Sequence, residues 1–100
     1  MSDHKFSLEL SEEAYDDLVE IQNYSYQEFG ESQWQKYGQA LDKGLQHILN
    51  HPHTGHIRPD VPEGYLSWPV NEHIMIYRVQ SSIIYVVRIL HKRMNFRFQF

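Results

Sequence analysis

The alternation of apolar and polar residues near the start of the chain predicts a short, half-buried strand. Residues 5–10 read K-F-S-L-E-L, and a period of two is typical of a strand with one buried face. Ser11 follows, with Glu12 and Glu13 behind it. This is the usual composition of a helix N-cap and first turn, because the helix dipole favours negative charge there. We therefore expect a strand that leads directly into a helix.

Two helices are predicted in the first half of the chain. Apolar residues of the first recur three and four positions apart, and Gly30 provides a stop because glycine accepts a positive φ. Ser32 and Gln35 have capping-box spacing and predict the start of the second helix. Its apolar face, which we expect in the core, consists of Trp34, Tyr37, Leu41, Leu45 and Ile48. Pro52 ends this helix near Asn50. So short a link predicts an antiparallel helical hairpin.

Three strands are predicted in the second half. Residues 51–64 are rich in proline and glycine and read as an irregular loop. Strand-like runs follow at 65–70, 74–79 and 83–90. The short turn at 80–82 pairs the last two antiparallel, and Pro69 favours an edge position for the first.

The last residues alternate strictly, with methionine and phenylalanine on one side. These residues are Met94, Phe96, Phe98 and Phe100. One interpretation is an additional edge strand whose aromatic face joins the core. The other is a free tail whose aromatic rings dock on another protein. The pattern fits both.

Taken in order, the predicted elements are β-α-α-β-β-β in a single domain, residues 1–100. We expect an α+β fold in which the helical hairpin packs on one face of a mainly antiparallel sheet. Apolar residues make up 41% of the chain and cysteine is absent, so a disulfide scaffold and a thiolate zinc site are excluded. We expect no signal peptide, no membrane contact and a cytoplasmic location.

The net charge of −4 conceals two unlike halves. Residues 1–50 contain ten Asp and Glu against three Lys, whereas residues 51–100 contain three Asp and Glu against six Lys and Arg. If the halves form different faces, one face is acidic and the other can bind an acidic partner or a polyanion.

Several short motifs follow one another along the chain in a recognisable order. They are L-S-E-E-A at 10–14, H-P at 51–52, R-P at 58–59, W-P-V at 68–70, I-Y-R-V at 76–79 and V-R-I-L-H-K-R-M at 87–94. Their order and spacing resemble the ParE branch of the ParE/RelE toxin superfamily. The final run, with its R-I-L-H-x-R-M ending, carries most of the resemblance.

The resemblance implies a toxin of a type II toxin–antitoxin module, without a cofactor. A ParD-like antitoxin would wrap its C-terminal segment around the toxin, and operator DNA would be contacted only through that antitoxin. ParE members poison DNA gyrase without being classical enzymes, which makes gyrase the expected target. RelE-like members cleave mRNA in the ribosome. A ribosome-dependent mRNA endonuclease and an inactive antitoxin-binding module are therefore the alternatives.

The candidate site residues divide according to these functions. The predicted target-binding residues are His91, Lys92, Arg93, Met94, Asn95, Phe96 and Arg97. A non-catalytic poison needs no catalytic residue, whereas a nuclease would use Arg58, Arg78, His91 and Arg93, with Glu63 as a further candidate. The antitoxin is expected to pair with Arg58 or Arg78. The loop histidines His51, His53 and His56 are considered as metal ligands, but we expect no metal.

Overall fold

The computed structural model describes residues 5–100 and has the predicted order of elements. They are β1 (Ser7–Leu10), α1 (Glu12–Phe29), α2 (Glu31–Asn50), β2 (Leu66–Val70), β3 (His73–Gln80) and β4 (Ile83–His91), followed by a 3₁₀ turn (Phe96–Gln99). The β-α-α-β-β-β prediction is confirmed, and the strand boundaries differ from those predicted by one or two residues. Within residues 5–100, no helix is long and apolar enough to cross a membrane.

The four strands form one sheet in the order β1-β4-β3-β2. β1 lies parallel to β4, whereas β3 is antiparallel to both β4 and β2. The last residue of β1, Leu10, pairs with Val86. Along the rest of β4, no described strand lies on that side, and α1 covers this edge instead. Ile89 N donates there to a carboxylate of α1, Asp17 Oδ2, at 2.9 Å.

The first helix begins as predicted, but the second does not. Ser11 Oγ accepts from Ala14 N at 2.9 Å, as expected of an N-cap. Gly30 alone links the helices, with φ of 89°, a region that glycine occupies without strain. The predicted capping box of Ser32 is wrong, because α2 starts at Glu31 with Gly30 as its N-cap. A one-residue link leaves no position outside the helix for Ser32.

The larger core lies between the helical hairpin and one face of the sheet. The predicted stripe of α2 is confirmed, since Leu41 and Ile48 are buried and its other members pack against the same cluster. From the sheet, Met75, Tyr77, Ile84, Val86 and Ile89 face the helices. At Gly44, an added Cβ would lie 2.4 Å from Val70 Cγ2, so glycine permits the close approach of α2 to β2.

The opposite face of the sheet, hereafter the far face, carries a small second core. Its buried residues are Ile76, Leu90 and Phe96. The tail is neither the predicted edge strand nor a free end, because the chain folds back as a 3₁₀ turn. The predicted burial of the aromatic face in the core is confirmed for Phe96, 1% exposed, but not for Met94, Phe98 and Phe100, which are exposed. A 3₁₀ helix has about three residues per turn, so residues two positions apart, such as Phe96 and Phe98, point to different sides.

The outer edge of β2 explains why the tail does not continue the sheet there. Ser67 exchanges both backbone hydrogen bonds with His56, each 2.8 Å long. Pro69 has no N–H to offer, as its predicted edge position requires. β2 is indeed an edge strand. On its outer side, the hydrogen-bonding groups of Ser67 are already used by His56 and Pro69 has no donor, so little remains for another strand to pair with.

Candidate functional site

The chain between β4 and the 3₁₀ turn is exposed but firmly attached. This exposed segment consists of Lys92, Arg93, Met94 and Asn95. Lys92 N donates to Glu72 O at 2.9 Å, and Met94 N donates to His91 O at 2.9 Å. Nδ1 of His91 also accepts from Arg93 N at 3.1 Å. Four of the predicted target-binding residues, 92–95, thus share one surface turn of defined shape, which lies between His91 at the end of β4 and the 3₁₀ turn that contains Phe96 and Arg97.

The C-terminal turn, Phe96–Gln99, is fixed by its buried phenylalanine. The guanidinium of Arg58 lies 4.3 Å from the centre of the Phe96 ring. Arg58 also binds both carboxylate oxygens of Asp60, at 2.9 and 2.8 Å, and this hydrogen bonding lowers the pKa of Asp60. Phe96 is therefore an anchor of the turn, and its buried side chain belongs to the core, the alternative to a target contact that the sequence also allowed. Arg97, by contrast, is exposed.

Arg88 connects the C-terminal turn to α1. It binds Asp17 through two bonds, Nε–Oδ2 at 2.8 Å and Nη2–Oδ1 at 3.0 Å. Its Nη1 donates to the backbone and side-chain oxygens of Gln99, at 3.2 and 3.4 Å. The side chains of Arg88 and Asp17 are only 19% and 11% exposed. Hydrogen bonding to Asp17 raises the pKa of Arg88, so the guanidinium stays charged.

A groove of about 590 Å³ lies between α1 and the end of β4. Apolar and aromatic side chains line much of it: Ile21, Tyr24, Phe29, Tyr37, Ile89 and Met94. Three carboxylates, from Asp17, Glu20 and Glu72, line it as well. His91 and Met94 belong both to the groove and to the predicted target-binding residues. The groove and the exposed segment are therefore neighbouring parts of one surface.

Two histidines and a tyrosine form the polar end of this groove. The Tyr37 hydroxyl hydrogen-bonds to Nδ1 of His73 and to Val70 O. The His73 and His91 rings are 5.3 Å apart between centroids. Burial, followed by the charge of His91, lowers the pKa of His73 from 6.5 to about 4. His73 is therefore neutral near pH 7.

The four nuclease candidates are not brought together. Arg58 lies over Phe96 on the far face, whereas Arg78 is exposed above the Tyr85 ring, 5.2 Å from its centre. Tyr85 is six residues from His91 along β4, which corresponds to roughly 20 Å at the usual rise of a strand. His91 and Arg93 are neighbours, because Nδ1 of His91 accepts from Arg93 N. Arg58 and Arg88 form ion pairs with Asp60 and Asp17, whereas Arg78 has no ion-pair partner among residues 5–100.

The loop histidines contact different aromatic partners. His56 stacks 6.0 Å from Trp68, while His53 meets Phe6 edge-on at 6.3 Å. His51 lies 5.1 Å from His47. In the part of the chain that the structure describes, no group of three or more His, Cys, Asp or Glu is arranged to hold a metal ion.

Sequence reasoning missed the α1 side of the site. Asp17 falls on the same helical face as Ala14 and Ile21, both buried. A carboxylate on an apolar face needs a buried cation or donor, and this signal pointed to Asp17. Tyr24 and Phe29 lie outside the apolar stripe and remain exposed. Their clustering near the helical link was a second usable signal.

Comparison with known proteins shows that this fold is already known from a solved structure. A chain of the structure titled "Chromosomal ParDE TA system from P. aeruginosa" has the same fold, with a TM-score of 0.77 and 21% identity, covering 89% of this chain and 98% of that chain. Residues 8–96 match the family model described as the ParE toxin of type II toxin–antitoxin systems, parDE. The class is therefore the toxin component of a type II toxin–antitoxin module, built on the ParE/RelE fold.

Relatives of known name identify the family within this class. Toxin ParE1 of Caulobacter vibrioides is 33% identical over 88 residues, which cover 88% of this chain and 91% of the relative. Toxin ParE1 of Mycobacterium tuberculosis is 31% identical over 87 residues, covering 86% and 89%. The chain belongs to the ParE toxin family.

Proposed function

We propose that this toxin arrests growth in the cytoplasm by binding DNA gyrase, without making or breaking a bond itself, and that a ParD-like antitoxin neutralises it. The observation that carries the proposal is the exposed segment, residues 92–95, held between β4 and the buried anchor Phe96. The proposed target contacts are His91, Lys92, Arg93, Met94, Asn95 and Arg97.

The shape and chemistry of this segment support a binding role. Arg and Met are enriched in the centres of protein interfaces, where they fill pockets on a partner. The backbone is already fixed by the bonds from Met94 and Arg93 to His91, so little conformational entropy is lost on binding. A ligand that prefers one state of an enzyme shifts the enzyme towards that state. A poison of gyrase needs no more than this preference.

The dispersal of the basic residues supports the non-catalytic form of the proposal. Cleavage of RNA needs an acid, a base and cations around one phosphate. Arg78 lies over Tyr85, roughly 20 Å along β4 from His91, and Arg58 is already bound to Asp60. A nuclease built on His91 and Arg93 alone would lack most of this machinery.

The test combines purified toxin, gyrase and supercoiled plasmid. We expect loss of supercoiling or accumulation of gyrase-linked cleaved DNA. The double variant Arg93→Glu/Met94→Ser should lose at least about tenfold in potency, because interface anchors of this kind are each worth over 1 kcal/mol. Arg78→Gln, which removes an exposed arginine at the other end of the sheet, is the matched control and should retain activity.

Two results would contradict the proposal. One is codon-specific cleavage of mRNA on translating ribosomes that is lost in His91→Gln, since this would identify an endonuclease. The other is normal growth when the toxin is expressed without an antitoxin, which would leave only a protein that binds an antitoxin.

A further inference from the structure

The C-terminal turn is too short to hold its own conformation. It is a single 3₁₀ turn of four residues, and one or two hydrogen bonds do not offset the entropy lost when so short a segment is ordered in water. Its internal bonds are long, since Asn95 accepts from Arg97 N through its side chain and from Phe98 N through its backbone, each at 3.2 Å. The turn therefore depends on contacts with the rest of the domain.

Contacts of buried or half-buried side chains attach the turn at each end. At its start, Phe96 is buried in the far-face core, with the guanidinium of Arg58 over its ring. At its end, Gln99 accepts from Nη1 of Arg88 through its backbone and side-chain oxygens, at 3.2 and 3.4 Å. Arg97, a proposed target contact, is exposed between the two attachments. Its position is therefore determined by both of them.

Arg88 can hold Gln99 because Asp17 fixes the direction of its guanidinium. The N–H groups of Nε and Nη2 are committed to the two carboxylate oxygens of Asp17, and this bidentate geometry holds the guanidinium plane in one orientation. Asp17 is itself fixed, since its Oδ2 also accepts from Ile89 N at 2.9 Å. Together, α1 and β4 therefore aim the remaining nitrogen, Nη1, at the turn.

We propose that Arg88 is a positioning residue for the target-binding surface. Oriented by Asp17, it holds the C-terminal turn, and Arg97 within it, in the conformation that the target binds. The inference rests on the proposed function for the identity of the target. Arg88 is not itself a target contact, because its side chain is only 19% exposed and its three nitrogens are already engaged.

The order of the turn affects affinity through entropy. A mobile turn must be ordered when the target binds, and the free energy of ordering its backbone and side chains is subtracted from the affinity. A turn that Arg88 already holds has lost this freedom on folding. Release of Gln99 should therefore weaken target binding without removing any atom that contacts the target. The loss should concern Arg97 more than residues 92–95, whose backbone is bonded at the end of β4.

The decisive variant is Arg88→Lys, which keeps the charge opposite Asp17 but replaces the fork of nitrogens by a single one. A lysine that binds Asp17 has no second nitrogen with which to reach Gln99. Arg78→Lys is the matched control, because it makes the same change in an exposed arginine of β3 whose guanidinium lies over Tyr85. Thermal melting verifies that both variants are folded.

NMR relaxation shows whether the turn is released. We expect the backbone order parameters of residues 97–99 to fall from about 0.85 to below about 0.6 in Arg88→Lys, while those of α1 and β4 are retained. Gln99→Ala leaves the pair of Arg88 and Asp17 intact and serves as a second variant. It keeps the backbone oxygen that Arg88 binds, so the order parameters of the same residues should fall by less. Arg78→Lys should leave them unchanged.

A double-mutant cycle shows whether the order of the turn matters to the target. Arg88→Lys should lower the affinity for gyrase about five- to tenfold, and Arg97→Ala should lower it as well. If Arg88 acts through Arg97, the two losses are not additive. In an Arg97→Ala background, Arg88→Lys should therefore cost less than about twofold.

Three outcomes would overturn the inference: an ordered turn in Arg88→Lys, a mobile turn with unchanged affinity for gyrase, or fully additive losses in the cycle. If the parent chain leaves gyrase unaffected, the proposed target is refuted. The order parameters, which are measured without gyrase, then decide by themselves whether Arg88 holds the turn.

Discussion

The two faces of the sheet are covered by unequal cores. On one face, two helices of 18 and 20 residues bury a continuous cluster that includes Leu41, Ile48 and Tyr77. On the far face, a four-residue turn and part of a loop cover a cluster of only three buried residues, Ile76, Leu90 and Phe96. The exposed segment is attached to the second, smaller core.

Because of this difference, we expect one core to determine the stability of the domain and the other to hold the exposed segment in place. A large core spanning α1, α2 and the sheet unfolds cooperatively, whereas short terminal elements with few buried contacts open locally at lower cost. The far-face core should therefore control the order of the C-terminal turn more than the stability of the domain. Arg88, bonded to both Asp17 and Gln99, is the one side chain that links the two regions directly among the hydrogen bonds described.

The largest expected effect is on the helix-covered face. Ile48→Ala removes a fully buried side chain of α2 and leaves a cavity that its neighbours cannot fill. We expect the free energy of unfolding to fall by about 3–4 kcal/mol, measured by urea denaturation. The loss should be global, so hydrogen exchange should accelerate in all four strands. A loss confined to α2 would contradict the single cooperative core.

The next largest effect should come from the link between the two regions. Asp17→Asn removes the charge that balances a mostly buried Arg88 and weakens its two hydrogen bonds. We expect a loss of about 2–3 kcal/mol, below the 3–5 kcal/mol of fully buried pairs because this pair retains some exposure. Asp60→Asn is the matched control, since its pair with Arg58 is 26–32% exposed. That loss should stay below about 1 kcal/mol, and equal losses would contradict the distinction.

On the far face, Phe96→Ala should affect the turn more than the domain. Removing a buried phenylalanine from a closed core usually costs 3–5 kcal/mol, but here the turn can detach and regain its freedom. We therefore expect about 1–2 kcal/mol of global destabilisation, with rapid hydrogen exchange confined to residues 92–100. Phe98→Ala, which changes a ring that is 82% exposed, should have almost no effect. A loss as large as that of Ile48→Ala would show that the two cores are one.

Much of the fold could be predicted because local rules determine it. The N-cap Ser11, the stop at Gly30 and the apolar stripe of α2 depend on neighbouring residues, and all three are confirmed. The tail could not be predicted, because its conformation depends on distant partners. Arg58 stacks on Phe96, and Arg88 bonds to Gln99. Strict alternation describes the sequence there but does not determine which surface receives each ring.

The site divides in the same way. The run 91–97 could be identified from its cations and aromatic residues, and the structure gathers most of it on one surface turn. The groove could not, because Glu20, Tyr37 and His73 come from three separate elements that meet only in the folded chain. A pairing such as that of Tyr37 with His73 has no signature in the local sequence.

The smallest expected effect is the pH dependence of stability caused by His73, which tests how well the helices exclude water from the groove end of the larger core. The pKa of His73, about 4 against 6.5 for a free histidine, is lowered by burial and by the charge of His91, while Glu72 and Asp17 act in the opposite direction. Because the folded state binds this proton less readily, stability should fall as the pH drops from about 6.5 to about 4. We expect about 1 kcal/mol, since partial exposure screens the effect.

NMR titration measures the pKa directly, and His91→Gln should move it upward towards 6.5, although not fully, because burial remains. In His73→Asn, the loss of stability over this pH range should be smaller than in the parent chain. Titration of His73 near 6.5 in the parent chain would mean that water reaches this end of the core freely. The helices would then exclude water only around Ile48 and Tyr77, and the two faces of the sheet would differ less in how well their cores are protected from water.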